Sequence, residues 1–272
     1  MSTQRNLDDV IKHKKEAIRS LNTLLESYIS SKNPELLKKA DLISYWIKSF
    51  SMYVDSEETF TPTKLLRYSR GSVLRVNFGF NIGKEFGGLH YAVVIDNDNK
   101  RNAHAITVVP LSSSDGKSVH ERNVDLGKEL YEKIRDNQKK LYSKALEESK
   151  ELYSTLNLLS ENLSLLQSIQ LSNAEVDFDI MEKIDETLSQ KKQYEGKKVS
   201  YEHKKYICER NEKEIAKLKT GSMAIVNQIT TISKQRIYTP KRSEDFLDGI
   251  SLSAPAMEKI NEKIKSLYLF DK

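Results

Sequence analysis

The sequence predicts an α+β fold, a small β-barrel cut in two by a long antiparallel coiled-coil hairpin, with two further helices ahead of it. Three observations predict it. Stretches with strand periodicity lie at 72–126 and 222–237, on either side of almost ninety residues with helical period. Within that middle part Leu152, Leu156, Leu159, Leu163 and Leu166 alternate steps of four and three, the spacing of a coiled-coil seam. With 130–216 removed, the strands and a terminal helix make up the size of one small barrel, and a short turn would join the flanks.

The elements follow in order. In residues 7–31, Leu7, Val10, Ile11, Ile18, Leu21, Leu25, Tyr28 and Ile29 recur at helical spacing. Ser31, Lys32 and Asn33 break that helix, and Pro34 opens a second one whose apolar face is Leu37, Ala40, Ile43, Ile47 and Phe50. Residues 55–63 read as a linker. Ser72 to Phe78 alternates as a half-buried strand does, and the four glycines from Gly79 to Gly88 predict a mobile loop or wide turn. Tyr91 to Ile95 is a continuous apolar run, so a strand buried on both sides. Ala105 to Leu111 and Asn123 to Leu126 follow as strands, with turn chemistry at 96–99.

Leu171 to Asp177 interrupts the helical stretch. A second long helix from Phe178 to Lys217 carries a looser seam of Met181, Ile184, Leu188, Tyr194, Tyr201, Cys208 and Ile215. Two such helices form a hairpin roughly 60 Å long at 1.5 Å per residue. Strands resume at Ser222 to Val226 and run from Ile229 to Ile237. A final helix, 255–269, has Ser253 as its N-cap and Met257, Ile260, Ile264 and Leu267 on one face.

Composition narrows the classes. Charged residues make up 31% and hydrophobic ones 38%, which suits much exposed helical surface. No apolar run reaches membrane-spanning length, no signal-peptide pattern stands at the start, and the single cysteine, Cys208, forms no intrachain disulfide. The expectation is a cytoplasmic protein with no membrane contact. The net charge of +5 weakly favours an anionic partner. His13, His104, His120 and His203 have no metal-ligand spacing with one another or with Cys208, and no P-loop, dinucleotide glycine motif or nucleophile elbow is present. Lysines and tyrosines interleave over 191–206, a pattern that tracks a phosphate backbone or, more simply, a solvated helix face.

The two β-rich stretches resemble the MazF/PemK toxin family over most of 70–126 and 219–269. The first carries Arg70-Gly71-Ser72-Val73, Val76-Asn77-Phe78, Gly83 to Gly88, Ala92 to Ile95 and Asn97-Asp98. The second carries Gly221 to Val226, Gln228-Ile229, Thr231-Ile232, Lys234 and Arg236. The ordered set marks the fold more than any one piece does. The resemblance implies an SH3-like barrel made of 70–126 and 218–272, a helical insertion at 127–217 and an N-terminal helical segment at 1–55.

The resemblance also implies a function: a toxin-like endoribonuclease that cleaves single-stranded RNA by metal-free attack of the ribose 2′-hydroxyl, without a cofactor. Its partners would be RNA and an antitoxin protein, and its state a homodimer. The family's arginine-proline pair after the glycines falls on His90 and Tyr91, its threonine on Ser112, and a basic residue after Gln-Ile on Thr230. His90, Ser112 and Glu85 are therefore the expected catalytic set. Histidine titrates near neutral pH and can move the proton that the hydroxyl loses. Lys84, Gln228, Lys234 and Arg236 are the expected RNA contacts, and no metal site is expected.

The alternative is a non-catalytic barrel that binds a protein or nucleic acid and uses the helical arm for assembly. In either case Trp46, Ile47 and Phe50 give the N-terminal pair apolar faces that must dock, and the hairpin is the expected place.

Overall fold

A computed structural model describes residues 6–114, 118–172 and 177–269. Helices α1 (Leu7–Ser30) and α2 (Pro34–Asp55) begin where their caps dictate. Asn6 accepts from the Asp8 N–H, and Asn33 accepts from the Glu35 N–H at 2.9 Å with Pro34 in the first turn.

Seven strands follow among the described residues: β1 (Val73–Asn77), β2 (Leu89–Val94), β3 (Ala105–Ser113), β4 (Val124–Gly127), β5 (Ser222–Ala224), β6 (Thr230–Ser233) and β7 (Ile237–Thr239). They form one antiparallel sheet in the order β4-β5-β3-β2-β1-β7, with β6 also paired to β3. Strands from both sides of the long helices thus share one sheet, and Gly127 of β4 pairs with Ser222 of β5, where the chain leaves and returns. The path ends at β4 and β7, which are not bonded to each other among the described residues.

The single strand expected over Ile229 to Ile237 is two. A 3-10 turn at Lys234–Arg236 divides it, held by Ser233 accepting from the Gln235 N–H and by the Lys234 N–H donating to the His104 carbonyl. The turn lets β6 pair with β3 while β7 pairs with β1.

Strand alternation sorts the apolar side chains onto two faces. Val73, Val93, Val109 and Leu111 face a core completed by Leu130, Ile134, Ile215 and the helix α5 residues Ala256, Met257 and Ile260, α5 being Ala254–Tyr268. Leu74, Val76, Ala92, Val94 and Val108 face a second core with Tyr68, Phe78, Ile106, Ile232 and Ile237. The α5 cap is Ser253, which also donates from its hydroxyl to Glu129 and so fastens α5 to the root of the hairpin.

The hairpin is α3 (Glu129–Leu171) and α4 (Phe178–Ile215). Their cross-contacts run antiparallel: Gln138 to the Cys208 carbonyl, Glu148 to Lys204, Thr155 to Lys197, Asn162 to Gln190. The expected interruption over Leu171 to Asp177 falls partly on 173–176, outside the described residues. The seam differs from the leucine count. Thr155 and Leu159 are buried and Leu152, Asn162 and Leu166 half-buried, whereas Leu156 and Leu163 are exposed, as are Met181 and Leu188 on α4. Two stripes with the same spacing run along α3. The one carrying Thr155 and Asn162 faces α4, because both polar side chains find hydrogen-bond partners there.

The N-terminal pair docks elsewhere than expected. The seat of α2 is the β1–β2 loop, not the hairpin. Gly79 lacks a Cβ, and one placed there would lie 2.8 Å from the Trp46 ring, so the indole lies directly on the loop backbone. Asn77 donates to the Tyr53 hydroxyl at 3.3 Å, and the Arg236 guanidinium stacks over Trp46 at 5.2 Å. These contacts suit an indole, with bare backbone close against the ring and a cation over its face.

Candidate functional site

The β1–β2 loop, 78–88, is a wide turn tied by its own hydrogen bonds. The Gly88 N–H donates to the Gly79 carbonyl at 2.7 Å, and the Phe78 N–H donates to the Gly88 carbonyl at 2.8 Å. Asn77 accepts from the Gly79 N–H, a contact helped by the positive φ of Gly79. Asn81 donates to the Phe86 carbonyl at 2.8 Å. The Glu85 carboxylate accepts from the Ile82 N–H at 3.2 Å.

His90 leaves this loop at the start of β2, opposite Val76 of β1. Its ring packs on Phe86 at 4.7 Å between centroids. Burial, and after it the charge of Arg75, hold the imidazole pKa below its ordinary 6.5. His90 is therefore neutral at neutral pH and able to accept a proton. Arg75 itself pairs with Glu214 of α4 at 2.9 Å and lies over the rings of Tyr91 and Tyr238.

His90 and Glu85 line one open cavity of about 740 Å3 between the loop and α2, together with Asn77, Asn81, Trp46 and Tyr53. A second cavity of about 320 Å3 is lined by Arg236, Gln228, Phe86 and again Asn81 and Glu85. The two share that wall.

Ser112 is not part of the lining of either cavity. It sits on β3 opposite Met223, one residue beyond the Tyr91–Leu111 pair, as His90 does on β2. Strand alternation places Ser112 and His90 on the same face of the sheet. Lys84 is exposed at the loop tip.

Two of the expected RNA contacts have other work. Lys234 is 2% exposed, and its ammonium donates to the Lys100 carbonyl at 3.0 Å, so it supports a loop from inside and offers no charge to a ligand. The Gln228 amide is spent on the glycine loop, accepting from the Phe86 N–H and donating to the Lys84 carbonyl. Arg236 is half-buried, with its Nε donating to the Asn77 carbonyl at 2.8 Å.

Sequence reading missed Trp46, Tyr53, Asn77 and Arg75 as residues of this region. The one signal was Trp46, an apolar residue in need of a partner; nothing in its spacing named Gly79.

Residues 69–149 match the model of a family described as PemK-like, MazF-like toxin of type II toxin-antitoxin system. The match takes in β1 to β4 and the first half of α3. No curated protein matches the chain. Among the described residues, no helix is long and apolar enough to cross a membrane.

Proposed function

With residues 69–149 matching the PemK-like, MazF-like toxin family, we propose that the chain is a toxin-type endoribonuclease cutting single-stranded RNA by attack of the ribose 2′-hydroxyl. The observation that carries the reading is His90, neutral and half-buried, sharing an open cavity with Glu85 on a tied loop.

In this mechanism the His90 imidazole takes the 2′-hydroxyl proton as the 2′-oxygen bonds to phosphorus. The bond from phosphorus to the 5′-oxygen breaks, and the proton held on His90 passes to that leaving oxygen. The products are a 2′,3′-cyclic phosphate and a 5′-hydroxyl, and no metal enters. Charge building up on the phosphoryl oxygens is met by the hydrogen-bond donors of the Arg236 guanidinium in the adjoining cavity. Glu85 is a positioning residue that holds the Ile82 N–H and so the shape of the loop. Lys84 supplies a phosphate contact indifferent to sequence. An antitoxin protein, a second copy of the chain and the cytoplasm complete the reading.

A second reading has its own observation. α2 places Trp46 on Gly79 and under Arg236, so the chain's own side chains occupy one side of the region. A non-catalytic protein that binds RNA or another protein, with the helical arm for assembly, would tolerate that.

Labelled RNA separates the two. The enzyme reading expects wild type to yield 2′,3′-cyclic ends in the presence of EDTA and His90→Ala to lose at least tenfold in rate, within the range for general acid–base groups. Equal cleavage by both proteins, or cleavage that stops with EDTA and returns with magnesium, would overturn it.

A further inference from the structure

We propose that the cavity between α2 and the β1–β2 loop is a stacking pocket for a base of single-stranded RNA, with α2 serving as one of its walls. The inference rests on the RNA reading above and deepens it. At about 740 Å3, the cavity falls within the range of small-ligand clefts, about 300–1,000 Å3. Its lining is aromatic on three sides: Tyr45, Trp46 and Tyr53 from α2, Phe80 and His90 from the loop region, and Tyr238 from β7.

Two of these rings are left open to solvent. Tyr45 is 66% exposed and Tyr238 60% exposed, so both are within reach of a ligand in the cavity they line. Trp46 is held in place, with Phe50 at 5.9 Å and Tyr53 at 6.4 Å beside it and Arg236 over its face. Trp46, set between Gly79 and Arg236, is a fixed wall of the pocket, and the Tyr45 ring beside it is the face left for a base. Sequence-tolerant stacking of this kind is how single strands are gripped, because every base has a π-face.

Polar groups stand where base edges would come. Asn81 spends its NH2 on the Phe78 and Phe86 carbonyls, which leaves its Oδ1 to act as an acceptor. Asn81 and Glu85 also line the smaller cavity that holds Arg236. A base in the larger cavity therefore has a guanidinium one step away for its phosphate, the arrangement of a nucleotide site rather than of an apolar peptide groove. α2 leaves this volume open instead of filling it, so it builds the pocket and does not plug it.

Trp46 is the sole tryptophan of the chain, so its emission reports on this pocket alone. The experiment titrates the full chain with an eight-nucleotide mixed-sequence 2′-O-methyl oligoribonucleotide, which lacks the attacking hydroxyl. Binding is followed independently by anisotropy of a labelled copy. Saturable quenching of Trp46 is expected at the same midpoint as the anisotropy change. Tyr45→Ala, at an exposed position safe for folding, is expected to weaken binding roughly 5- to 150-fold, the loss of one base–aromatic stack, while Tyr45→Phe restores it. The exposed hairpin variant Tyr153→Ala should bind as wild type does.

Binding by anisotropy with unchanged Trp46 emission and unchanged Tyr45→Ala affinity would overturn the pocket and leave the RNA reading standing. Tighter binding by Tyr45→Ala or Trp46→Phe would overturn it by making α2 a cover. No binding to any oligonucleotide and no RNA cleavage would overturn both.

Discussion

The two helical additions to the sheet solve the same problem in opposite ways. The hairpin is rooted in the main core through Leu130, Ile134 and Ile215, and beyond that root its two helices pack chiefly on each other, with Asn137 and His203 reaching Asp248 and Glu244. α2 buries just Ala40 and Ile43 but meets a fitted partner, with Trp46 on a backbone that has no side chain at Gly79. The hairpin shows how far a narrow seam can carry a helix pair. α2 shows that a few shape-matched contacts decide where a helix docks. Apolar area alone misplaces it, since α1 keeps Leu7, Ile18 and Ile29 exposed and has no buried residue among those described.

The largest effect should come from breaking the seam. Leu159 is 8% exposed and Leu156 38% exposed, three residues apart on the same helix. Leu159→Ala should cost about 2–3 kcal/mol of hairpin stability and Leu156→Ala less than about 1 kcal/mol, as buried and surface truncations do. Chemical denaturation followed by helical circular dichroism measures both. Equal losses would mean that the leucine stripe, and not the stripe with Thr155 and Asn162, faces α4.

A smaller effect tests the α2 seat. Gly79 has φ +84°, and an added Cβ would meet the Trp46 ring. Gly79→Ala combines left-handed backbone strain of about 1–2 kcal/mol with that clash. The expected outcome is release of α2, read as a red shift of Trp46 emission and faster proteolysis within 7–55, with the circular dichroism of the sheet and hairpin unchanged. An unshifted emission would show that Trp46 does not depend on the bare backbone of Gly79.

The same contrast marks what the sequence could show. Caps and period place α1, α2, β1, β3 and α5 within a few residues, because Asn33-Pro34, Ser253 and strand alternation are local signals. Location is another matter. Whether the leucine stripe of α3 or the one with Thr155 and Asn162 turns inward depends on contacts made across the hairpin, such as Asn162 with Gln190. Lys234 and Gln228 sit in a family-like stretch that reads as a binding surface, yet one is buried under the Lys100 carbonyl and the other is spent on the glycine loop. Nothing local distinguishes a lysine that reaches outward from one that reaches a carbonyl inside. His90 and Glu85 were legible as candidates through the resemblance, which sets them in and after the family's glycine loop. The aromatic wall facing them was not, because it comes from residues more than thirty positions away.

The smallest effect concerns the charge near His90. Its pKa is lowered first by burial and second by Arg75. If neutral His90 is the base, cleavage is full above that pKa and falls as the pH drops through it, so the acid limb of the rate profile lies below pH 6.5, on the acid side of an ordinary histidine. Taking away the cation removes one cause of the lowering. Arg75→Gln should therefore raise the pKa and move the acid limb to higher pH, and Arg75→Lys should keep it near its original place. Because burial is the larger cause, the limb in Arg75→Gln should still lie below pH 6.5. Single-turnover cleavage rates across pH 4.5 to 8 measure the limb in all three proteins. An acid limb above pH 6.5 in wild type, or one that stays fixed in Arg75→Gln, would remove His90 as the group whose deprotonation is being followed.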